Sequence, residues 1–97
     1  MALTPEQIKA KKIARKEAQI VKNDASIVKI TVKLDKKQGV RVALMTSLSV
    51  ETDNTKKVKI QSKIDKASEM IDKYSATLTR YNSKQITLAE ELRLLKL

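Results

Sequence analysis

The longest regular pattern of apolar positions lies between Thr55 and Leu97. Apolar or neutral residues recur there in alternating steps of four and three, the spacing that gives a helix one continuous apolar stripe. We call these positions the C-terminal seam. Its members are Ile60, Ile64, Ala67, Ile71, Tyr74, Leu78, Tyr81, Gln85, Leu88, Leu92 and Leu95. The pattern predicts a long amphipathic helix over 55–81 and a C-terminal helix over 87–97, with coiled-coil character.

The segment between residues 82 and 86 leaves two alternatives for this helix. Asn82 and Ser83 are poor helix formers, and Gln85 places a polar residue on the seam. Thr87 and Glu90 have the spacing of a capping box, which would open a new helix. A break is slightly favoured. A continuous helix would be about 60 Å long and would need another chain to cover it.

The first twenty-two residues predict a second amphipathic helix, over 5–22. Thr4 and Gln7 have capping-box spacing, Pro5 suits a first helical turn, and Asn23 follows as the expected end. On a helical wheel at about 100° per residue, one arc is apolar and the opposite arc is basic. The apolar arc contains Ala10, Ile13, Ala14, Ile20 and Val21, with Glu17 among them. The basic arc contains Lys9, Lys11, Lys12, Arg15, Lys16 and Lys22.

Between these helices the apolar period changes from helical spacing to strict alternation. The alternating residues are Val28, Ile30, Val32 and Leu34, then Val40, Val42 and Leu44. The single Gly39 lies where a left-handed turn residue would be needed. The pattern predicts a two-stranded antiparallel β-hairpin over 27–50 with one apolar face. The expected fold class is therefore α+β and helix-dominated, with 1–97 forming a single small domain or an elongated subunit.

The composition indicates that such a chain is marginally stable when alone. It has 97 residues, 41% of them hydrophobic, but only 2% aromatic, so its core must be built from aliphatic side chains. These bury less area than aromatic rings. Oligomerisation or a partner is a common way for so small a core to reach stability.

The net charge of +10 favours an acidic partner, such as nucleic acid or an acidic protein. The six cations of the basic arc are the candidate phosphate contacts. An ordinary solvated helix face is the competing interpretation. Binding to an anionic membrane surface is a weaker one, because the apolar arc lacks the Trp, Phe or Leu anchors typical of interfacial helices.

Several kinds of chemistry find no candidate residues. The chain has no Cys and no His, and its one Gly excludes a glycine-rich phosphate loop. Asp65, Glu69 and Asp72 share a helix face with interleaved lysines, a pattern typical of a solvated surface. We expect no enzyme activity, no metal, no cofactor and no small-molecule substrate. Without a signal peptide or an apolar span, we expect a soluble protein made in the cytoplasm, free or incorporated into a larger particle.

We recognise no family in the sequence, so the functional expectation rests on these patterns. The first hypothesis is a structural or assembly subunit. It would oligomerise, or dock onto a larger complex such as a virion-type particle, through the C-terminal seam and the strand edges. The second is a nucleic-acid-binding protein that uses the basic arc and the hairpin lysines. A protein that regulates an enzyme by binding it is a third, weaker possibility.

Overall fold

Two long helices account for nearly all of the computed structural model, which describes residues 2–97. Helix α1 spans Pro5–Val50 and has 46 residues, and helix α2 spans Asn54–Leu95 and has 42. No residue in 2–97 belongs to a β-strand. The fold class is therefore all-α, and the α+β prediction is wrong.

Both helices begin at side-chain caps. The Thr4 backbone N–H donates to Gln7 Oε1 (2.9 Å), and the Gln7 N–H donates to Thr4 Oγ1 (3.2 Å). This is a reciprocal capping box, and the prediction that a helix starts at Pro5 is confirmed. At the second helix, the Lys56 N–H donates to Asp53 Oδ1 (3.0 Å), so Asp53 is the N-cap of α2.

The predicted end of the first helix and the predicted β-hairpin over 27–50 are both wrong. Helix α1 continues through Asn23 and includes the whole of 27–50. Two residues of the supposed apolar hairpin face, Val32 and Val42, are 47% and 63% exposed on the helix surface. Gly39 has no positive φ and lies within the helix. Alternation therefore does not describe which side chains of this segment are covered.

A seven-residue repeat describes the covered side chains of α1. We call these positions the α1 seam, and each is buried or half-buried. They are Ile13, Lys16, Ile20, Asn23, Ile27, Ile30, Leu34, Lys37, Leu44 and Leu48. Their steps alternate between three and four, apart from one step of seven over the exposed Arg41. Helical packing of Ile30 and Leu34 in this repeat overrides the β-propensity of Val32 between them.

Helix α2 is continuous through residues 82–86, so the predicted break is wrong. Thr87 does not cap a new helix. Its Oγ1 donates to the Ser83 carbonyl oxygen (3.2 Å), the bond of a threonine inside a helix to the preceding turn.

Residues 2–97 fall into two compact units. Unit 1 consists of the chain up to Val28 together with Thr79–Leu97, and unit 2 is Lys29–Leu78. In unit 1, Lys9 lies against Leu97 and Asn23 lies against Tyr81, so the two helical segments run antiparallel.

In unit 2, Leu48 of α1 and Ile64 of α2 line one surface depression near the turn that joins the helices. The buried hydrophobic side chains of this unit are Ile64 and Ala67, and Leu88 is the one in unit 1. The accessible surface of the chain is 7456 Å². A compact monomer of 10.9 kDa would expose about 5,600 Å². The protein therefore leaves much more of its surface in water than a typical small domain.

Candidate functional site

A polar layer interrupts the apolar contact between the helices of unit 1. Asn23 is 4% exposed, and its Nδ2 donates to the Tyr81 carbonyl oxygen (3.0 Å) and to Gln85 Oε1 (2.8 Å). Gln85 Nε2 donates to the Ile20 carbonyl oxygen (3.4 Å). The Asn23 Oδ1 atom is buried and accepts no hydrogen bond from the described residues. A buried amide with one unsatisfied atom costs stability, but it holds the register of the two helices.

Two members of the basic arc are engaged inside unit 1. Lys9 Nζ donates to the Leu97 carbonyl oxygen (2.9 Å), and Lys16 Nζ forms an ion pair with Glu91. The Lys16 side chain is only 20% exposed and occupies a position of the α1 seam. These two lysines therefore have contacts within the chain, and their predicted role in phosphate contact stays a prediction.

The other four members of the basic arc, Lys11, Lys12, Arg15 and Lys22, are exposed. Lys22 lines a shallow depression together with Lys84 of α2, between Gln19, Ser26 and Tyr81. Lys12 and Arg15 line a neighbouring depression that also contains Glu91 and Leu94. Unit 1 thus has basic side chains from both helices along one edge, with Glu91 among them.

The C-terminal seam is buried or half-buried at every position, from Ile60 to Leu95. In unit 1, Tyr81 and Gln85 contact α1 through Asn23. In unit 2, Ile64 shares its surroundings with Met45 and Leu48 of α1. The predicted partner seam is therefore occupied in large part by the chain's own α1.

Many large apolar side chains are nevertheless exposed. They are Leu3, Ile8, Val21, Val28, Val32, Val40, Val42, Met45, Val50, Val58, Ile86, Leu94 and Leu97. Eight of these belong to α1, and only Val58, Ile86 and Leu94 belong to α2. The unpartnered apolar surface of the protein is therefore concentrated on the first helix.

One exposed ion pair shifts the titration of its members. Arg93 donates to Glu90 from Nε (3.0 Å) and Nη2 (2.6 Å), which lowers the pKa of Glu90 and raises the pKa of Arg93. Because the pKa of Glu90 is depressed, its stabilising contribution is present above the ordinary glutamate range and is lost as the pH falls through the lowered pKa. The pair lies in water, so its contribution is small.

Residues 2–97 contain no group of three or more His, Cys, Asp or Glu side chains placed to hold a metal ion. Neither α1 nor α2, as described over those residues, combines the length and hydrophobicity that a membrane crossing requires. Comparison of the chain with protein-family models, with curated proteins and with solved structures found no match.

Proposed function

We propose that this protein is a non-enzymatic structural subunit that oligomerises or docks onto a larger macromolecular complex. The observation that carries the proposal is the balance of apolar side chains. Among residues 2–97, three hydrophobic residues are buried. Val21, Val50 and Val58 are each at least 70% exposed, and ten further large hydrophobic residues of this range are also exposed.

Burial of these side chains would supply the stability that the isolated chain lacks. Full burial of a Val, Leu, Ile or Met side chain contributes about 1.5–3 kcal/mol. Within residues 2–97, three buried hydrophobic residues are few to offset the conformational entropy of two helices of 46 and 42 residues. An assembly that covers part of the exposed set would therefore stabilise the fold.

The partner is another copy of the chain or a component of a larger particle, such as a virion-type assembly. Strand edges have no part in the proposal, because residues 27–50 are helical. Contact with a partner would therefore use helical faces, and the faces of α1 carry most of the exposed apolar residues.

Thermal unfolding followed by circular dichroism over a range of protein concentrations tests the proposal. Folding that is coupled to assembly gives a midpoint temperature that rises with concentration. The midpoint temperatures of two matched variants are compared. Val58→Ser removes an exposed apolar side chain, whereas Thr55→Ser, on the same turn of α2, leaves the exposed apolar area nearly unchanged. A high, concentration-independent midpoint in a monomer would overturn the proposal.

The second candidate function is nucleic-acid binding, favoured by the basic edge of unit 1. Lys22 and Lys84 come from different helices and line one depression, and Lys12 and Arg15 are exposed nearby. Affinity for generic DNA or RNA should then fall steeply with salt, because neutralised phosphates release counterions.

Replacement of Lys22 and Lys84 by Gln, with Lys63→Gln and Lys66→Gln as the control, tests this alternative in a mobility-shift assay. Both double variants lose two charges, but only the first lies on the basic edge. Equal weakening of both would indicate general charge attraction. The absence of any shift at low salt would exclude nucleic-acid binding.

A further inference from the structure

Helix α1 carries a second apolar stripe that does not face α2. We call it the outer stripe and define it as Ala14, Ala18, Val21, Ala25 and Val28, all exposed and all within unit 1. Its steps are four, three, four and three, the same repeat as the α1 seam. Val21 and Val28 are 70% and 56% exposed. The spacing is that of a coiled-coil contact surface with no partner in this chain.

The outer stripe differs in composition from an ordinary solvated helix face. None of its five residues is charged or polar, although 33% of the chain is charged. Three are alanines, which allow a second helix to approach closely. The other two, Val21 and Val28, are seven residues apart and therefore occupy the same heptad position. On a solvated face, charged residues would be expected at some of these five positions, which span two heptads.

Charged residues border the outer stripe in two rows of opposite sign. One row is Arg15, Lys22 and Lys29, at intervals of seven, and the opposite row contains Glu17 and Asp24. In a parallel pair of helices, the residue in one flanking position meets the residue five positions later on the other helix. Glu17 would then meet the partner subunit's Lys22, and Asp24 would meet the partner subunit's Lys29.

The orientation of the two helices decides whether these charges attract. A parallel pair repeats both contacts by symmetry, so all four flanking contacts join opposite charges. An antiparallel pair would instead bring the row of Arg15 and Lys22 against the same basic row of the other chain. The charge pattern therefore suits a second, parallel copy of this chain.

We propose that two copies of this protein associate in parallel through the outer stripe of α1. Val21 then packs against the partner subunit's Val21, and Val28 packs against the partner subunit's Val28. The inference rests on the proposed assembly function and names its partner and surface. Helix α2 of each copy remains on the opposite side of its own α1, where Ile13, Ile20 and Ile27 occupy the α1 seam.

Single cysteine substitutions test the parallel register directly, because the natural chain has no cysteine. In an in-register parallel pair, identical positions of the two stripes face each other. The Val21→Cys and Val28→Cys variants should therefore form disulfide-linked dimers when oxidised glutathione is added. The control Ser62→Cys places an exposed thiol on α2 and should remain mostly monomeric on a non-reducing gel.

Reversal of the flanking charges provides a second test of the parallel pair. One variant carries Glu17→Lys with Asp24→Lys, and the other carries Lys22→Glu with Lys29→Glu. Each alone should self-associate about tenfold more weakly, because four attractive contacts become repulsive. An equimolar mixture should regain association, since every flanking contact then joins opposite charges. Circular dichroism verifies that each variant remains helical.

The outcomes separate the two proposals. Cross-linking at Val21 and Val28 with recovery in the mixture supports the parallel pair. An oligomer that cross-links no more at these positions than at Ser62, or that is insensitive to the charge exchange, overturns the parallel pair and leaves the assembly function standing. A chain that stays monomeric throughout and unfolds at a high, concentration-independent midpoint temperature overturns both.

Discussion

At the scale of the residue, the polar pair Asn23 and Gln85 fixes the register of two helices whose interface is otherwise mostly apolar. Each amide uses the other as a partner, and both also reach backbone carbonyls of the facing helix. Leucine at either place would bury more apolar area. The amides instead penalise any shifted register, in which they would be buried without partners.

Replacement of the polar pair by leucine should show how the hydrogen bonds of the two amides depend on each other. Gln85→Leu alone should lower the free energy of unfolding by about 1–2 kcal/mol, because Asn23 then loses a partner while remaining buried. Asn23→Leu combined with Gln85→Leu should be more stable than the single variant. Urea unfolding of both single variants, the double variant and the parent completes the cycle that measures the coupling. Additive effects of the two changes would contradict the coupling.

Gly39 gives a residue-scale test of the fold. A Cβ added at this position meets no atom within 4 Å, and its φ is not positive. Gly39→Ala should therefore raise the stability of α1 by about 0.5–1 kcal/mol, because alanine is the better helix former. In a β-turn that requires a left-handed residue, the same change would destabilise the protein. Thermal unfolding distinguishes the two results by their sign.

At the scale of the element, α1 shows which part of the fold the sequence could predict. The capping box at Thr4 and the C-terminal seam were readable because each is a local pattern. The α1 seam was hidden for two reasons. On a wheel at about 100° per residue, a seven-residue repeat drifts by about 20° per heptad. Its polar members Lys16, Asn23 and Lys37 also interrupt the apolar column.

The valines between residues 28 and 42 added a competing signal. They belong to runs in which apolar and polar residues alternate, and valine has high β-propensity, so a hairpin explained them without reference to the rest of the chain. Only the facing helix shows that Ile30 and Leu34 are covered while Val32 is exposed. Of the candidate sites, the basic arc was readable, but the engagement of Lys9 and Lys16 depends on α2 and was not.

Truncation of neighbouring aliphatic residues tests the helical assignment of this segment. Leu44 is half-buried in the α1 seam, whereas Val40 is 47% exposed. Leu44→Ala should cost about 1–2 kcal/mol and Val40→Ala less than about 0.5 kcal/mol. A hairpin would place both residues on the same covered face and give comparable losses. Urea denaturation measures both variants.

At the scale of the whole molecule, the small core and the large exposed surface lead to the same conclusion. Two long helices are satisfied in their backbone hydrogen bonds but bury few side chains completely. The net charge of +10 opposes non-specific association of the exposed apolar side chains, and the proposed assembly would cover part of them. The charged rows beside the outer stripe would allow one parallel arrangement and disfavour others.

Sedimentation equilibrium of the purified chain over a dilution series tests the assembly claim most directly. We expect a mass near twice 10.9 kDa at high concentration, falling toward a single copy on dilution together with a loss of helical signal. A mass of one copy at every concentration, with full helicity and cooperative unfolding, would contradict the account.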